Sequence, residues 1–146
     1  MKRTPLKRGT SQLKRSGFAK KARKPMKKVS SLGSLRNKCD KLLTPRTVKQ
    51  CPRCELCGKP SQVAHHFVHK SKSNRLRYEM INLIPLCNSC HFALHQNESE
   101  YAGRIVKGRG LLWFETLEIL KRETIKVNRQ YYENQLKQLQ ALVNIK

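Results

Sequence analysis

At 146 residues, the chain is long enough for one domain with a modest hydrophobic core, and it is strongly basic, with 32 Lys and Arg against 9 Asp and Glu. This excess of positive charge predicts a polyanionic partner, for which nucleic acid is the commonest intracellular choice. The N-terminal sequence has no apolar segment of the kind found in signal peptides, and no later stretch is apolar enough to cross a membrane. We therefore expect a cytoplasmic protein with no membrane partner, and in a reducing compartment close-spaced cysteines are more typical of metal ligands than of disulfides.

The basic residues are concentrated near the N-terminus. Residues 1–38 contain fourteen Lys or Arg and no acidic residue, whereas the other 108 residues contain eighteen basic and nine acidic residues. Residues 1–33 have too few large apolar side chains for burial to offset the entropy that ordering would cost. We predict a flexible, disordered basic arm over residues 1–33, and its uncompensated charges favour a phosphate-bearing partner over a purely solvated tail.

The folded part is predicted to begin with a helical lead-in over residues 34–50, which contains a short amphipathic helix. The segment SLRNKCDKLL has apolar residues at helical spacing, and Pro45 is expected to end the helix. The apolar positions are Leu35, Cys39, Leu42 and Leu43. Cys39 is predicted to be a buried free thiol on this apolar face.

Two C-x-x-C turns predict a structural Zn²⁺ site. CELCG at 54–58 and CNSCH at 87–91 each aim two thiolates at one point, and together they complete a tetrahedron. Cys51 makes the first turn ambiguous, because CPRCELC contains two overlapping C-x-x-C units. We favour the second unit, since Pro52 restricts the first and a Gly follows only the second. The predicted zinc ligands are Cys54, Cys57, Cys87 and Cys90.

The five histidines of the chain lie between the two C-x-x-C turns and just after the second turn. QVAHHF reads as a strand, in which alternation sends His65 and His66 to opposite faces. INLIPLC reads as a second strand, followed by a helix that starts at position 88 or 89 and places His91 and His95 on one face. One residue of the adjacent pair can therefore join His91 and His95 around a metal ion, while the other stands beside the ion as a base. His69, beyond the strand end, is predicted to contact phosphate or solvent.

Residues 98–146 are predicted to form C-terminal helices. ESEYAGRIVKGRG reads as a helix closed by glycines, LLWFETLEILKRE as a second helix, and a last helix is expected to begin near Asn128, a good N-cap. Trp113, Phe114, Tyr131 and Tyr132 could stack on bases, but their helical spacing among leucines is more typical of core residues.

The order His65-His66, Asn82, His91 and His95, threaded through the C-x-x-C pairs, resembles the HNH endonucleases. The resemblance implies an α+β fold with a small zinc-clipped ββα-metal core, treble-clef-like, over residues 51–97 and flanked by helices. It also implies that His65, His91 and His95 hold a catalytic divalent ion and that His66 is the general base. In the family the asparagine, here Asn82, ties the loop between the strands and orients the base.

A narrower likeness covers about residues 32–143. SLRNKCDKLLTPR, RLRYEMIN and NESEYAGRIVKGRGLLWFETLEILKRE are similar to the NinG or Rap recombination proteins of lambdoid phages. This implies a structure-specific nuclease acting on branched recombination intermediates in a bacterial or phage-infected cell. The chain has His65-His66 where that pattern has Gly-His, and His91 where it has Asn, and both differences match the general HNH class.

The resemblance implies a metal-dependent DNA endonuclease that leaves 5′-phosphate and 3′-hydroxyl ends. Mg²⁺ or Mn²⁺ is the first expectation for the catalytic ion, with Zn²⁺ or Ni²⁺ as alternatives. The expected partner is DNA, including branched or single-stranded forms, and a homodimer is compatible with the pattern. Four basic residues of the loop between the strands are predicted to hold phosphates, against the alternative of an ordinary solvated loop; they are Lys70, Lys72, Arg75 and Arg77.

Two rival interpretations come from other classes. A non-catalytic zinc-knuckle nucleic-acid-binding protein explains the charge and the thiols, but it does not explain the presence and order of the histidines and Asn82. A nucleic-acid chaperone acting through the basic arm alone explains still less of the sequence.

Overall fold

The structure, a computed structural model, describes residues 30–144. Over this range it consists of five α-helices and one two-stranded antiparallel sheet, and a 3-10 turn, Met80–Asn82, precedes the second strand. The elements in chain order are α1 (Leu32–Gln50), β1 (Val63–His66), β2 (Leu83–Leu86), α2 (Asn88–Gln96), α3 (Glu98–Arg109), α4 (Leu111–Arg122) and α5 (Arg129–Asn144). The predicted α+β class, a ββα core flanked by helices, is confirmed. The predicted basic arm lies, up to residue 29, outside the described residues.

Helix α1 is longer than the sequence predicts at both ends. It begins at Leu32, and it continues through Pro45 to Gln50, so the prediction that Pro45 ends the helix is wrong. A proline inside a helix removes one backbone hydrogen bond and crowds the preceding turn. Burial on both sides of the proline offsets this cost, because Leu43 is 2% exposed and Thr47 is fully buried.

Helix α5 packs along α1, and together they cover one face of the sheet. Leu35 and Leu43 of α1 form a buried cluster with Tyr132 and Leu139 of α5, and Leu83 of β2 joins it. The additional α1 member is Cys39, a fully buried free thiol as predicted. The start of α5 also agrees with prediction, since the side chain of Asn128 accepts a hydrogen bond of 2.9 Å from the backbone N–H of Tyr131.

The register of the two strands decides which face each histidine occupies. His65 pairs with Ile84, and His66 pairs with Leu83. Paired residues of an antiparallel sheet point to the same face. Because Ile84 packs against the zinc knuckles, α2 and α3, whereas Leu83 packs against α1 and α5, the adjacent histidines lie on opposite faces of β1.

Helices α3 and α4 cover the side of the sheet that carries α2. Gly110 joins them with a φ of 89°, a conformation that favours glycine. Trp113 of α4 packs edge-on against Phe67, with ring centroids 4.8 Å apart, and its indole N–H donates to the Ile81 carbonyl at 2.9 Å. Trp113 is thus a packing residue here. None of the helices between residues 30 and 144 combines the length and the apolar character needed to span a bilayer.

Candidate metal centres and active site

Four thiols meet where the two C-x-x-C turns face each other. The sulfur atoms of Cys54, Cys57, Cys87 and Cys90 all lie within 4.8 Å of one another, and the Cys57 and Cys87 sulfurs are 3.6 Å apart. Tetrahedral zinc with bonds of about 2.3 Å requires sulfurs about 3.8 Å apart, so the four thiols fit a structural Zn²⁺ ion. Cys51 lies outside this cluster, which agrees with the favoured choice of ligands.

Backbone hydrogen bonds shape the first turn and dock it onto the sheet. The N–H of Cys54 donates to the Lys59 carbonyl at 2.7 Å, and the N–H of Gly58 donates back to the Cys54 carbonyl at 2.8 Å. Gly58 has a φ of 71°, which explains why a glycine follows the second cysteine. The N–H of Glu55 donates to the Pro85 carbonyl at 2.9 Å, and this bond places the turn beside the end of β2.

The second turn is placed by the junction of β2 and α2. Cys87 caps the N-terminus of α2, where its sulfur accepts a hydrogen bond from the backbone N–H of Cys90. This bond is the largest of the influences that lower the pKa of Cys87 to about 7. Burial and the neighbouring sulfurs raise the pKa of Cys90. Cys87 is therefore more easily ionised than Cys90, and a bound cation would favour the thiolate form of Cys90.

Three histidines gather on the α2 face of the sheet. His91 and His95 leave the same face of α2, with their Nε2 atoms 3.1 Å apart, and the ring of His65 from β1 lies 5.4 Å from each of theirs, centroid to centroid. The nearest ring nitrogens of all three lie within 4.8 Å of one another. The sequence-predicted ligand set is thus brought together around one point, and its spacing fits a divalent transition ion.

Burial favours the neutral form of His65 and His91, which is the form that binds metal. Desolvation, followed by the charges of His91 and His95, lowers the pKa of His65 to about 4. Desolvation also lowers the pKa of His91, with a further contribution from His95. The cluster lines a cavity of about 230 Å³ whose wall also includes His66, His69 and Lys70.

His66 lines the same cavity but is held by a different partner. Its Nε2 lies 3.0 Å from the backbone carbonyl oxygen of Arg77. Since a carbonyl can only accept, Nε2 carries the proton and the lone pair of the neutral ring is on Nδ1. Burial lowers the pKa of His66, although the Arg77 carbonyl opposes this shift. The ring is therefore neutral at physiological pH, oriented, and able to accept a proton through Nδ1.

Asn82 is completely buried and ties together the loop between the strands. Its side-chain oxygen accepts from the N–H of Val68 at 2.7 Å, and its amide donates to the carbonyls of Val68 and Leu76 at 3.0 and 3.1 Å. Asn82 ties the loop as predicted, and the hydrogen bond observed on the His66 ring is to the Arg77 carbonyl of that loop. Asn82 acts on His66 only through the loop that presents the Arg77 carbonyl.

The structure corrects the prediction that Arg75 and Arg77 hold phosphates. Arg77 is 7% exposed, and its guanidinium donates to both carboxylate oxygens of Asp40, at 3.0 and 2.5 Å. Arg75 forms ion pairs with Glu79 and Glu123. Both positive charges are thus balanced within the protein. The other two predicted residues, Lys70 and Lys72, are exposed.

Two residues that support the site were missed by the sequence reasoning. Asp40, on α1, anchors the arginine whose carbonyl orients His66; it is the sole acidic residue among residues 1–54, a signal that could have drawn notice. Arg109, at the end of α3, donates to both carboxylate oxygens of Glu55 at 2.6 Å and to the carbonyl of Leu83 at 3.1 Å. It therefore fixes the first zinc turn to the start of β2, and no local pattern marks it.

Comparison with known proteins supports the interpretation of this region. Residues 51–97 match the family model described as HNH endonuclease. The chain is also 38% identical over 73 residues to the mitochondrial DNA mismatch repair protein mutS homolog of Sarcophyton glaucum, a match that covers 46% of this chain and 7% of that protein. No solved structure matches. The combination of two thiol turns, three clustered imidazoles and a separately held histidine occurs within the matched segment, and residues 51–97 form an HNH endonuclease domain.

Proposed function

We propose that the protein is a metal-dependent DNA endonuclease that hydrolyses phosphodiester bonds to 5′-phosphate and 3′-hydroxyl ends. One observation carries the proposal: three imidazoles gather at one point of a cavity, and a fourth, His66, is held in the same cavity by a separate hydrogen bond. A structural role does not require this set of imidazoles around one opening. A metal-dependent hydrolytic site requires residues that hold the metal ion and a separate base that does not ligate that ion.

The proposed chemistry assigns a separate task to each side of β1. His66, neutral and oriented through Nε2, accepts a proton at Nδ1 from the water that attacks the phosphorus. His65, His91 and His95 are the residues that would hold the ion, and three protein ligands leave coordination positions open for a phosphate oxygen. When bound there, a divalent ion supplies charge stabilisation to the phosphoryl oxygens and to the departing 3′ oxygen.

The donor atoms bear on the identity of this ion. The ligand atoms that cluster at this point of the described chain are imidazole nitrogens. Imidazole suits zinc, nickel and other transition ions, whereas Mg²⁺ prefers an octahedral shell of oxygen ligands. We therefore place Mn²⁺, Zn²⁺ and Ni²⁺ ahead of Mg²⁺ as the catalytic ion, which revises the first expectation from the sequence.

DNA is the proposed substrate, and branched DNA its proposed form. The net charge of +23 favours a polyanion, and the relative in Sarcophyton glaucum is by its name a DNA mismatch repair protein homolog. Support for a branched substrate comes from the likeness of residues 32–143 to the NinG or Rap recombination proteins. Cleavage of matched linear, flap and four-way substrates would measure this preference.

The test compares nicking of supercoiled plasmid by the zinc-loaded wild-type protein and by His66→Ala, with each divalent ion in turn. We expect the wild type to nick the plasmid, with nicks that DNA ligase reseals because they carry 5′-phosphate and 3′-hydroxyl ends. His66→Ala should bind the plasmid equally well and nick it about 10²- to 10⁴-fold more slowly, the usual contribution of a general base. Equal nicking by both proteins would remove His66 as the general base, and binding without nicking for every ion would favour the zinc-knuckle binding protein instead.

A further inference from the structure

Two adjoining depressions run along α1, and the first of them adjoins the histidine cavity. The first, of about 440 Å³, lies between α1 and the loop connecting the strands, and it shares His69 and Lys70 with the histidine cavity. The second, of about 540 Å³, continues along the N-terminal half of α1 and shares Asn37 with the first. We call these two depressions together the α1 groove. Its principal lining residues are Arg36, Asn37, Lys38, Lys41, Lys70 and Asn74.

The groove has one polar wall because α1 is amphipathic. Ser34, Asn37, Lys38 and Lys41 follow the i, i+3, i+4, i+7 spacing that places side chains on one face of a helix. The opposite face carries buried residues such as Cys39, which pack against α5. The hydrophobic core thus fixes the orientation of the helix, and the polar face is presented along the groove.

The lining of the groove carries uncompensated positive charge. Asp40 is the one acidic residue among the described residues that line it, and both of its carboxylate oxygens are bound by Arg77. The remaining charged residues are exposed and positive: Arg36, Lys38, Lys41 and Lys70. Side-chain amides and hydroxyls lie between them and can donate hydrogen bonds to phosphate oxygens.

We propose that the α1 groove binds the DNA backbone that flanks the scissile phosphate. The proposal rests on the proposed endonuclease function and adds the path of its substrate. From Ser34 to Lys41 the helix advances about 10 Å at 1.5 Å per residue. Along the axis of a duplex one strand advances about 3.4 Å per phosphate, so this stretch, laid parallel to that axis, spans about three phosphates. Four cations and a length of three phosphates match a backbone segment better than a single small anion.

The groove and the catalytic base share one structural support. The side chain of Arg77 holds Asp40 of α1, while the carbonyl of the same residue holds the ring of His66. A backbone bound along α1 is therefore kept at a fixed position relative to His66. Such positioning holds the scissile phosphate close to His66 and to the water that His66 activates. Binding contacts away from the reacting atoms assist catalysis in this way.

The experiment measures DNA binding in a His66→Ala background, so that the DNA is bound and not cut. A groove triple variant is compared with a matched triple variant, each of which replaces three exposed cations by glutamine and so removes the same net charge. The groove triple is Arg36→Gln, Lys38→Gln and Lys41→Gln, and the matched triple, outside the groove, is Lys107→Gln, Lys126→Gln and Lys137→Gln. Fluorescence anisotropy gives the affinity for a DNA duplex over a range of salt concentrations, and hydroxyl-radical footprinting gives the protected phosphates.

The groove triple should weaken binding about 10- to 100-fold at 0.1 M salt and reduce the slope of log K against log salt by about 2 to 3, since each lost phosphate contact contributes about 0.9. It should also lose protection on one side of the cleavage position, because the groove leaves the histidine cavity in one direction. The matched triple should change binding much less and keep the footprint. A groove triple that retains the slope and footprint of its His66→Ala parent, or a matched triple that loses as much, overturns the proposal.

Failure of the groove and failure of the nuclease function give different results. If the chain with His66 intact cleaves DNA while the groove triple binds like its parent, only the groove proposal falls. If that chain cleaves no DNA with any ion while the groove triple loses affinity and protection, the groove stands as a DNA-binding surface and the nuclease function falls.

Discussion

Replacing Asp40 by asparagine should destabilise the protein strongly, although the two side chains have nearly the same size. The Arg77 side chain is 9% exposed and that of Asp40 is 19% exposed, and the two form a bidentate pair. Asparagine would leave the buried guanidinium without its counter-ion. Breaking a buried pair from one side costs about 3–5 kcal/mol, and the residual exposure of Asp40 reduces this to about 2–3 kcal/mol of the free energy of unfolding.

Glu118→Gln is the matched control, because it makes the same change from carboxylate to amide in an exposed pair. Lys121 and Glu118 lie 2.9 Å apart with side chains 40% and 35% exposed, so the control should cost less than about 0.5 kcal/mol. Urea unfolding of the zinc-loaded proteins would measure both. With an m-value of about 1–3 kcal/mol/M, Asp40→Asn should lower the midpoint by about 0.7–3 M. A midpoint as high as that of Glu118→Gln would refute the buried-pair reasoning.

Three further predictions concern the metal sites. Cys90→Ser should unfold residues 51–97, because structural zinc contributes on the order of 10 kcal/mol to the folding of such small domains; an unchanged melting curve with full zinc content would contradict this. His65→Ala should weaken binding of Mn²⁺ in calorimetric titration, whereas His66→Ala should leave it unchanged; the reverse pattern would show that the two roles are exchanged. Because burial holds the pKa of His65 at about 4 in the folded protein, against 6.5 for the ordinary side chain, the unfolded chain binds a proton between these values and the folded one does not. Stability of the protein with zinc at the four thiols and no ion at the three histidines should therefore be greatest above about pH 6.5 and decrease as the pH falls towards 4; urea unfolding at several pH values would show a constant stability if this is wrong.

The two clusters of candidate metal ligands could be predicted from sequence because most of their members are placed by local geometry. A C-x-x-C turn brings two sulfurs together without help from the rest of the fold, and the spacing of His91 and His95 places both rings on one helix face. Strand alternation likewise separates His65 from His66. The same locality explains why the zinc cluster and the three-histidine cluster both form as expected.

The errors arose where distant parts of the chain meet. Arg77 looks like a free loop cation in sequence, yet it pairs with Asp40, 37 positions earlier. Pro45 normally ends a helix, but tertiary packing of the residues around it outweighs the lost hydrogen bond. The carbonyl that orients His66 belongs to the backbone of Arg77, so no pattern of side chains in the sequence indicates it. Each of these features depends on packing of α1 against the loop between the strands, which a single sequence does not reveal.

The dependence of DNA cleavage on Mn²⁺ concentration tests the central claim most directly. In single-turnover reactions with the zinc-loaded wild-type protein, the cleavage rate should saturate at the Mn²⁺ concentration that calorimetry gives for occupancy of the three-histidine cluster. His91→Ala should keep one zinc ion per chain and shift this midpoint at least about 10-fold upward, since it removes a ligand of the catalytic ion and none of the structural zinc. An unchanged midpoint and rate in His91→Ala would contradict the claim that the three histidines hold the ion on which cleavage depends.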